Sequence, residues 1–437
     1  MTTRLNDNEH SALLNGRTTE DGDHTGVPKK LDMALSIKIA AAMFSFSALG
    51  LFNSSIGAVL PLISHQYSLT DLHVSMLFLA GPMGYILAAQ LSDAIHCRLG
   101  QRGIAVIGPV FQIVATLIIA LHPKFGWVLV AFAIQGLGTG LLDGSWCAWA
   151  GSMDKANTVS GLLHGSYSVG GAAGPFLVTY ITTNDRPWYL WYYILVAHSA
   201  AELVLLVFAF RNENASVYRQ SKQSEAMDGR VDAKAIFRYR ATWLCAAYFL
   251  TYVGTETAIS GWVVSFMLRD REATPYLASL SSSGYWIGMA IGRLLLGFGT
   301  DRIGVRRATV LYFMFAIGLE ALFASLRSPI ASVILMTLLG FVMGPLFPSG
   351  VVVLTRLLPG QLHIAAVSFV ASLGQVGGAF LPFAIGALVQ SLGIDVFRFA
   401  ILLQTILALV VWLAFARLRA AVPGLQPDIR EESARED

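Results

Sequence analysis

Long apolar stretches recur along the chain, and they constrain its fold more than any other feature. Twelve of them have the roughly 20 residues that a helix needs to cross a bilayer. Lipid offers no partner for free backbone groups, so each stretch must be helical. We number them spans 1 to 12, near residues 36–60, 73–95, 103–122, 126–150, 158–182, 188–210, 240–267, 276–299, 306–326, 329–354, 364–391 and 394–416.

The composition agrees with a membrane protein and argues against other classes. Hydrophobic residues make up 55% of the 437 positions and charged residues only 13%, against about 25% charged in soluble proteins. The net charge is +3 and no basic run carries interleaved aromatics, so nucleic-acid binding is not expected. The three cysteines have no metal-ligand spacing, so we expect no metal site, disulfide framework or cofactor.

The polar segments divide the chain into two blocks of six spans. We predict a disordered N-terminal tail at 1–33, a six-helix bundle at 34–210, a central linker at 211–239, a second bundle at 240–418 and a C-terminal tail at 419–437. The linker is rich in Lys and Arg, and the linker and the loops on its side together carry about twice as many of these residues as the loops on the other side. This bias predicts that the linker and both termini are cytoplasmic.

The two blocks resemble each other at a shift of 204 residues. Glycines coincide at this shift in three pairs of spans, which indicates an internal duplication and an all-α membrane protein built from two pseudo-symmetric six-helix bundles. The matched pairs are Gly50 and Gly254, Gly57 and Gly261, Gly136 and Gly340, Gly140 and Gly344, Gly170 and Gly374, and Gly174 and Gly378.

The strongest local motif follows span 8. It consists of Gly297, Asp301, Arg302, Gly304, Arg306 and Arg307, and it resembles the loop pattern Gly-x-x-x-Asp-Arg-x-Gly-x-Arg-Arg of the major facilitator superfamily. The superfamily repeats this loop after span 2. There the chain has Asp93, Arg98 and Arg102, without the leading glycine and with four residues between Asp93 and the arginine part. The resemblance covers residues 34–420 and implies that both loops gate the transport pathway.

Two further segments suggest a narrower group. Residues 136–143 and 256–262 resemble fungal relatives of the fucose–proton symporters. Those symporters use an acidic residue in span 1, which this chain lacks at mid-membrane. Span 5 carries Gly170, Gly174 and Pro175 in the pattern of drug–proton antiporters, but Phe132 replaces the arginine that these antiporters have in span 4.

Ionisable residues at bilayer depth cost about 2.5–3.5 kcal/mol each on insertion scales and mark functional candidates. Asp143 and Glu256 are interpreted as cavity residues, with a buried structural carboxylate as the alternative for Asp143. Two interpretations are open for Arg293: it pairs with a carboxylate or an anionic substrate, or its side chain extends to the lipid headgroups. Two are also open for His164, which is either a proton carrier or a packing residue. The other predicted pathway residues are Asn53, Gln135, Trp146, Tyr252, Ser260, Trp262, Trp286 and Gln375.

These features favour a secondary transporter that moves a small, sugar-like organic solute by alternating access, with protons as the coupling ion. Export of a metabolite or drug and a non-transporting membrane sensor are the alternatives. The motifs of membrane hydrolases and of nucleotide-binding loops do not occur, so we expect neither an enzyme nor an ATP-driven pump. We expect a monomer in the plasma membrane or an internal membrane.

Overall fold

A computed structural model describes residues 33–153, 156–220, 233–359 and 362–418. The predicted tails, except Met33, and much of the predicted linker lie outside these ranges. Spans 2 and 3 form one kinked helix, and span 10 is broken in two. The spanning helices are Met33–Gln66, Leu77–Ala120, Phe125–Gly151, Ala156–Thr183, Leu190–Ala209, Arg240–Arg269, Pro275–Ile303, Val305–Ser325, Pro329–Met343 with Leu346–Leu357, His363–Leu392 and Val396–Ala416. A short helix, Asp71–Ser75, precedes span 2, and a 3-10 helix, Ala233–Arg238, precedes span 7.

Nine of the twelve spans are apolar enough to cross a membrane on length and composition alone. They form eight segments within the described residues, because one segment of 50 residues contains both span 2 and span 3. The three more polar spans are 5, 7 and 8. These are the spans that carry His164, Glu256 and Arg293, which indicates that their polar faces turn inward, away from lipid.

Two helices that start on the side away from the linker begin with the same capping motif, a hydroxyl residue followed by proline. Thr274 precedes Pro275, and its hydroxyl accepts the backbone N–H of Leu277 at 3.4 Å. Ser328 precedes Pro329 and caps span 10 in the same way. A hydroxyl cap satisfies an otherwise free N–H, and proline at the first helical position has no N–H to satisfy. These two signals fix where spans 8 and 10 start.

Spans 2 and 4 pack backbone against backbone, and spans 8 and 10 repeat this packing. A Cβ on Gly84 would lie 1.9 Å from the carbonyl oxygen of Ala133, and a Cβ on Gly288 would lie 2.0 Å from that of Thr337. Both residues of the second contact follow those of the first by 204 positions. The 204-residue shift read from the sequence therefore relates equivalent helix contacts in the two halves. The prediction of an all-helical protein in two related halves is confirmed.

The turns after spans 2 and 8 also correspond. Gly100 has φ 71° and Gly304 has φ 89°, a left-handed conformation that favours glycine. These glycines are 204 residues apart, so the loops align without the four-residue insertion inferred from the sequence. In this alignment Cys97 stands where the second loop has Asp301, and Asp93 lies one helical turn earlier.

Span 10 breaks at Gly344 and Pro345, and two tyrosines of span 7 serve the broken ends. Tyr252 donates its hydroxyl to the carbonyl oxygen of Met343 at 3.0 Å, and Tyr248 donates to that of Leu346 at 2.9 Å. A carbonyl left free at a helix break is costly in a buried site unless it finds a donor. Met343 ends the first part of span 10, so the hydroxyl of Tyr252 replaces a helical N–H that its carbonyl lacks, while Tyr248 adds a donor at Leu346, where the second part begins.

Replacing Gly84 with alanine tests the close packing of spans 2 and 4. The new methyl group would meet the Ala133 oxygen, and relief of that overlap should cost about 1–3 kcal/mol. We expect a lower thermal unfolding midpoint of the purified protein in detergent. Gly126→Ala is the matched control, because nothing lies within 4 Å of its Cβ position. An unchanged midpoint for Gly84→Ala would contradict the packing described here.

Candidate functional site

The two halves touch through a few spans, and the contact is tight at the end opposite the linker, which we call the far end. Spans 5 and 8 pack together, as do spans 1 and 7, and span 11 packs on the helix of spans 2 and 3. At the far end, Arg269 of span 7 donates to both carboxylate oxygens of Asp71, at 2.6 and 3.2 Å. The backbone N–H of Asp71 donates to the side chain of Gln390 at 3.1 Å.

Deeper contacts complete this closure. Thr183 of span 5 donates to the hydroxyl of Tyr276 at 2.8 Å, and Thr179 bonds Ser279 one turn deeper. Span 1 approaches span 7 so closely that a Cβ on Gly57 would lie 2.2 Å from the carbonyl oxygen of Ser260. The far end is therefore sealed by both polar and close-packed contacts.

Arg293 links the halves at mid-depth. Its Nη1 donates to the hydroxyl of Ser168 in span 5 at 3.0 Å, and its Nη2 lies 3.2 Å from the sulfur of Met289. The same Nη2 lies 4.0 Å from the carboxylate of Glu256 in span 7. The side chains of Glu256 and Arg293 keep 13% and 19% of their surface exposed. This ion pair is therefore long, and neither of its side chains is fully buried.

A second acidic group lies in the first half. Tyr85 of span 2 donates to Asp143 at 2.7 Å, and the thiol of Cys147 lies 3.6 Å from the other oxygen of that carboxylate. The Nε2 of His164 lies 4.0 Å from the same thiol. Asp143 and His164 are thus joined through Cys147, which gives the first half a chain of groups that can hold or pass a proton.

Amide, hydroxyl and aromatic groups lie between these two clusters. Asn53 of span 1 donates to the hydroxyl of Tyr167 at 3.2 Å. The ring of Tyr167 lies edge-on to Trp286, with centroids 5.6 Å apart, and the indole of Trp286 donates to Ser260 at 3.0 Å. Asn53 and Tyr167 are half-buried.

The remaining predicted pathway residues lie elsewhere. Trp146 stacks on Phe210 within a packed part of the first half. Trp262 is buried at the far end, where its indole donates to the carbonyl oxygen of Pro382. Tyr252 serves the break in span 10 as described above, Gln135 is buried, and Gln375 is half-buried. A pathway role for these residues stays a prediction.

The first predicted gating loop is held by the beginning of the linker. Tyr218 donates to Asp93 at 3.3 Å, and the backbone N–H of Arg102 donates to the carbonyl oxygen of Glu213 at 2.9 Å. Glu213 also forms an ion pair with Lys38 of span 1. Arg98 is exposed beside these contacts.

The second predicted gating loop has different contacts. Arg306 donates to the carbonyl oxygen of Leu418 at 2.9 Å, and Arg302, Gly304 and Arg307 are exposed. Gly297 belongs to the last turns of the helix of span 8. The side chain of Asp301 lies outside the described residues, so its predicted gating role stays a prediction.

Sequence reasoning missed three residues of the site: Tyr85, Cys147 and Ser168. The 204-residue shift pairs Tyr85 with Met289, so the partners of Asp143 and Arg293 occupy equivalent positions in the two halves. The pairing of Tyr85 with Met289 could be read from the sequence, but the glycines that revealed the 204-residue shift do not point to these two residues. Within the described residues no three His, Cys, Asp or Glu side chains are arranged so that they could hold a metal ion.

The helices, their duplication and the polar site at the interface define a membrane transporter. The sequence matches the profile of the Major Facilitator Superfamily over residues 42–268 and again over 244–436. The chain therefore belongs to the Major Facilitator Superfamily. It is a multi-pass integral membrane protein and a secondary transporter of small solutes.

Individual relatives agree with this assignment. "Bypass of stop codon protein 6" of Saccharomyces cerevisiae is 27% identical over 83% of this chain and 78% of its own length. The "Glucose/mannose transporter GlcP" of Bacillus subtilis is 22% identical over 78% of this chain and 85% of its own. Among solved structures, the nucleoside transporter NupG superposes with a TM-score of 0.68 at 15% identity, covering 88% of this chain and 99% of that one, which supports the fold.

The ion pair between Asp71 and Arg269 should influence how often the far end opens. The side chain of Arg269 is 43% exposed, and exposed pairs are worth about 0.2–1 kcal/mol, so Arg269→Gln should raise the open fraction up to about fivefold. We expect faster labelling by an impermeant thiol reagent at Ser75→Cys, which is buried beside Gly386, in a variant whose native cysteines are serine. The exchanged pair Asp71→Arg with Arg269→Asp should restore slow labelling. Equal rates in all variants would show that the pair does not hold this end.

Proposed function

We propose that this protein couples the movement of a small, hydroxyl-bearing organic solute to a proton gradient by alternating access. The observation that carries the proposal is the position of Arg293, which contacts Ser168 of the first half and faces Glu256 across 4.0 Å. One cation thus joins the groups that bind a solute to a carboxylate that can bind a proton. The proposal rests on the superfamily membership established above.

The coupling step follows from the charges around Arg293. With Glu256 ionised, Arg293 is attracted to span 7 within the second half, and its hydrogen bond to Ser168 of span 5 joins the two halves at mid-depth. A proton on Glu256 removes the attraction to span 7, so the same arginine is free to turn toward a solute. The binding of a proton and of a solute at neighbouring groups then changes the contact between the halves, as alternating access requires.

The lining supports a sugar-like solute. Asn53, Tyr167 and Ser168 offer amide and hydroxyl groups, and Trp286 offers an aromatic edge beside them. A pocket with a few directional polar groups and an aromatic wall suits a solute with several hydroxyls on a carbon ring. The resemblance of residues 136–143 and 256–262 to fungal relatives of the fucose–proton symporters supports the same substrate class, as does the glucose and mannose transporter among the relatives.

The orientation of the protein in the membrane is inferred from the excess of Lys and Arg in the linker and in the loops on its side. We place the linker, both termini and the gating loops on the cytoplasmic side. The conformation described here, sealed at the far end, is then the inward-facing one. We take the protein to act as a monomer with the predicted bundle boundaries, in the plasma membrane or an internal membrane.

Export is the second candidate. The span 5 pattern of Gly170, Gly174 and Pro175 favours it, because drug–proton antiporters carry this pattern. The structure gives part of the pattern a packing role, since a Cβ on Gly170 would lie 2.2 Å from the carbonyl oxygen of Ser47 in span 1. The direction of transport is decided by loading labelled solutes on either side of proteoliposomes and reversing the pH gradient.

Replacing Glu256 with glutamine tests the proposal. Glutamine keeps the shape of the side chain but cannot exchange a proton, so transport driven by a pH gradient should fall to the rate seen without one. The measurement is uptake of a labelled panel of sugars, polyols and organic acids into proteoliposomes, with and without the gradient. Glu320→Gln is the matched control, because Glu320 is buried and bonded to Thr405 away from the site.

Two results would contradict the proposed function. If Glu256→Gln keeps the full response to the gradient while Glu320→Gln also does, Glu256 is not the coupling carboxylate. If the wild type responds to the gradient only for organic acids, with no sugar or polyol transported, the assigned substrate class is wrong.

A further inference from the structure

A groove opens on the outer surface of the second half at the linker end. It runs between the start of span 9 and the end of span 12 and has a volume of about 500 Å³. We call it the 9/12 groove. Its lining residues are Ile303, Arg306, Arg307, Val310, Leu311, Leu413, Ala416 and Arg417.

Positive charge is concentrated at one end of the 9/12 groove. Arg306, Arg307 and Arg417 are all exposed. Arg306 uses one N–H to bond the carbonyl oxygen of Leu418, which leaves most of its five donors available. In the described part of the chain, no carboxylate lies within ion-pair distance of any of the three guanidinium groups. Among the described residues, the cluster therefore brings three exposed guanidinium groups together at one end of the groove.

The rest of the 9/12 groove is apolar. Leu311 is 46% exposed and Leu413 37% exposed, on neighbouring spans that face away from the interface with the first half. Val310 and Ala416 complete the floor. A ligand of this groove must therefore combine an anionic head with a hydrocarbon part.

A second groove, at the end of span 6, is lined by Leu203, Val204, Val207, Phe208 and Arg211. It contains a single arginine, which lies over the ring of Phe208 with 4.9 Å to the centroid. The 9/12 groove therefore offers three guanidinium groups where this groove offers one.

We propose that the 9/12 groove binds one anionic glycerophospholipid. The arginines hold the phosphate of the headgroup, for which the planar, multidentate guanidinium group is suited, and one acyl chain lies along Leu311 and Leu413. Basic pockets between membrane helices are known to select anionic headgroups in this way. The site is independent of the solute site, because it lies on the lipid-facing surface and not between the halves.

The test is native mass spectrometry of the purified full-length protein with long-chain phosphatidylglycerol or phosphatidylcholine. We expect one tightly retained phosphatidylglycerol, and at least tenfold weaker retention in the variant Arg306→Gln, Arg307→Gln, Arg417→Gln. The matched control removes three exposed arginines from the same end outside the groove, through Arg238→Gln, Arg240→Gln and Arg356→Gln. This control should retain the lipid as the wild type does.

A second variant tests the apolar part without changing any charge. Ala416→Phe fills the floor of the 9/12 groove, so it should weaken long-chain phosphatidylglycerol while all three arginines remain. The proposal is overturned if both triple variants lose the lipid equally, if phosphatidylcholine binds as tightly as phosphatidylglycerol, or if Ala416→Phe has no effect. It is also overturned if inorganic phosphate at equal concentration displaces the lipid, because the head alone would then account for binding.

Discussion

The close approach of paired helices is the constraint on which the rest of this structure depends. Where Gly84 meets Ala133 and Gly288 meets Thr337, one backbone lies in the space that a Cβ would fill. Lipid supplies no hydrophobic force between helices, so packing of this kind must hold each half together. Close packing of this kind therefore links the paired helices within each half.

The interface between the halves is unevenly built along its depth. The far end has an ion pair, several hydroxyl contacts and a glycine contact between spans 1 and 7. At mid-depth the described polar link is the single arginine, Arg293, between Ser168 and Glu256. The far end therefore supplies most of the described polar contacts between the halves, and Arg293 supplies the contact at mid-depth.

Much of the fold could be predicted from the sequence, and the reasons are physical. Apolar length predicts spanning helices because lipid leaves no alternative, and a glycine shift predicts duplication because close packing tolerates no side chain. Glu256 and Arg293 could be named as candidates because charges are costly in lipid. Their partners could not, since Ser168, Tyr85 and Cys147 are ordinary residue types whose role depends on which helices become neighbours. Tyr252 shares a helical face with Glu256, yet its hydroxyl turns to the break in span 10.

That use of Tyr252 has a consequence for how span 10 can move. Pro345 interrupts the helix, and the hydroxyls of Tyr248 and Tyr252 occupy the carbonyl oxygens on either side of the interruption. Both of these donors belong to span 7. Span 10 therefore cannot straighten or bend further at the break without exchanging these two hydrogen bonds. Since Glu256 lies one helical turn beyond Tyr252, a shift of span 7 at Glu256 would also change the hydrogen bonds at the break in span 10.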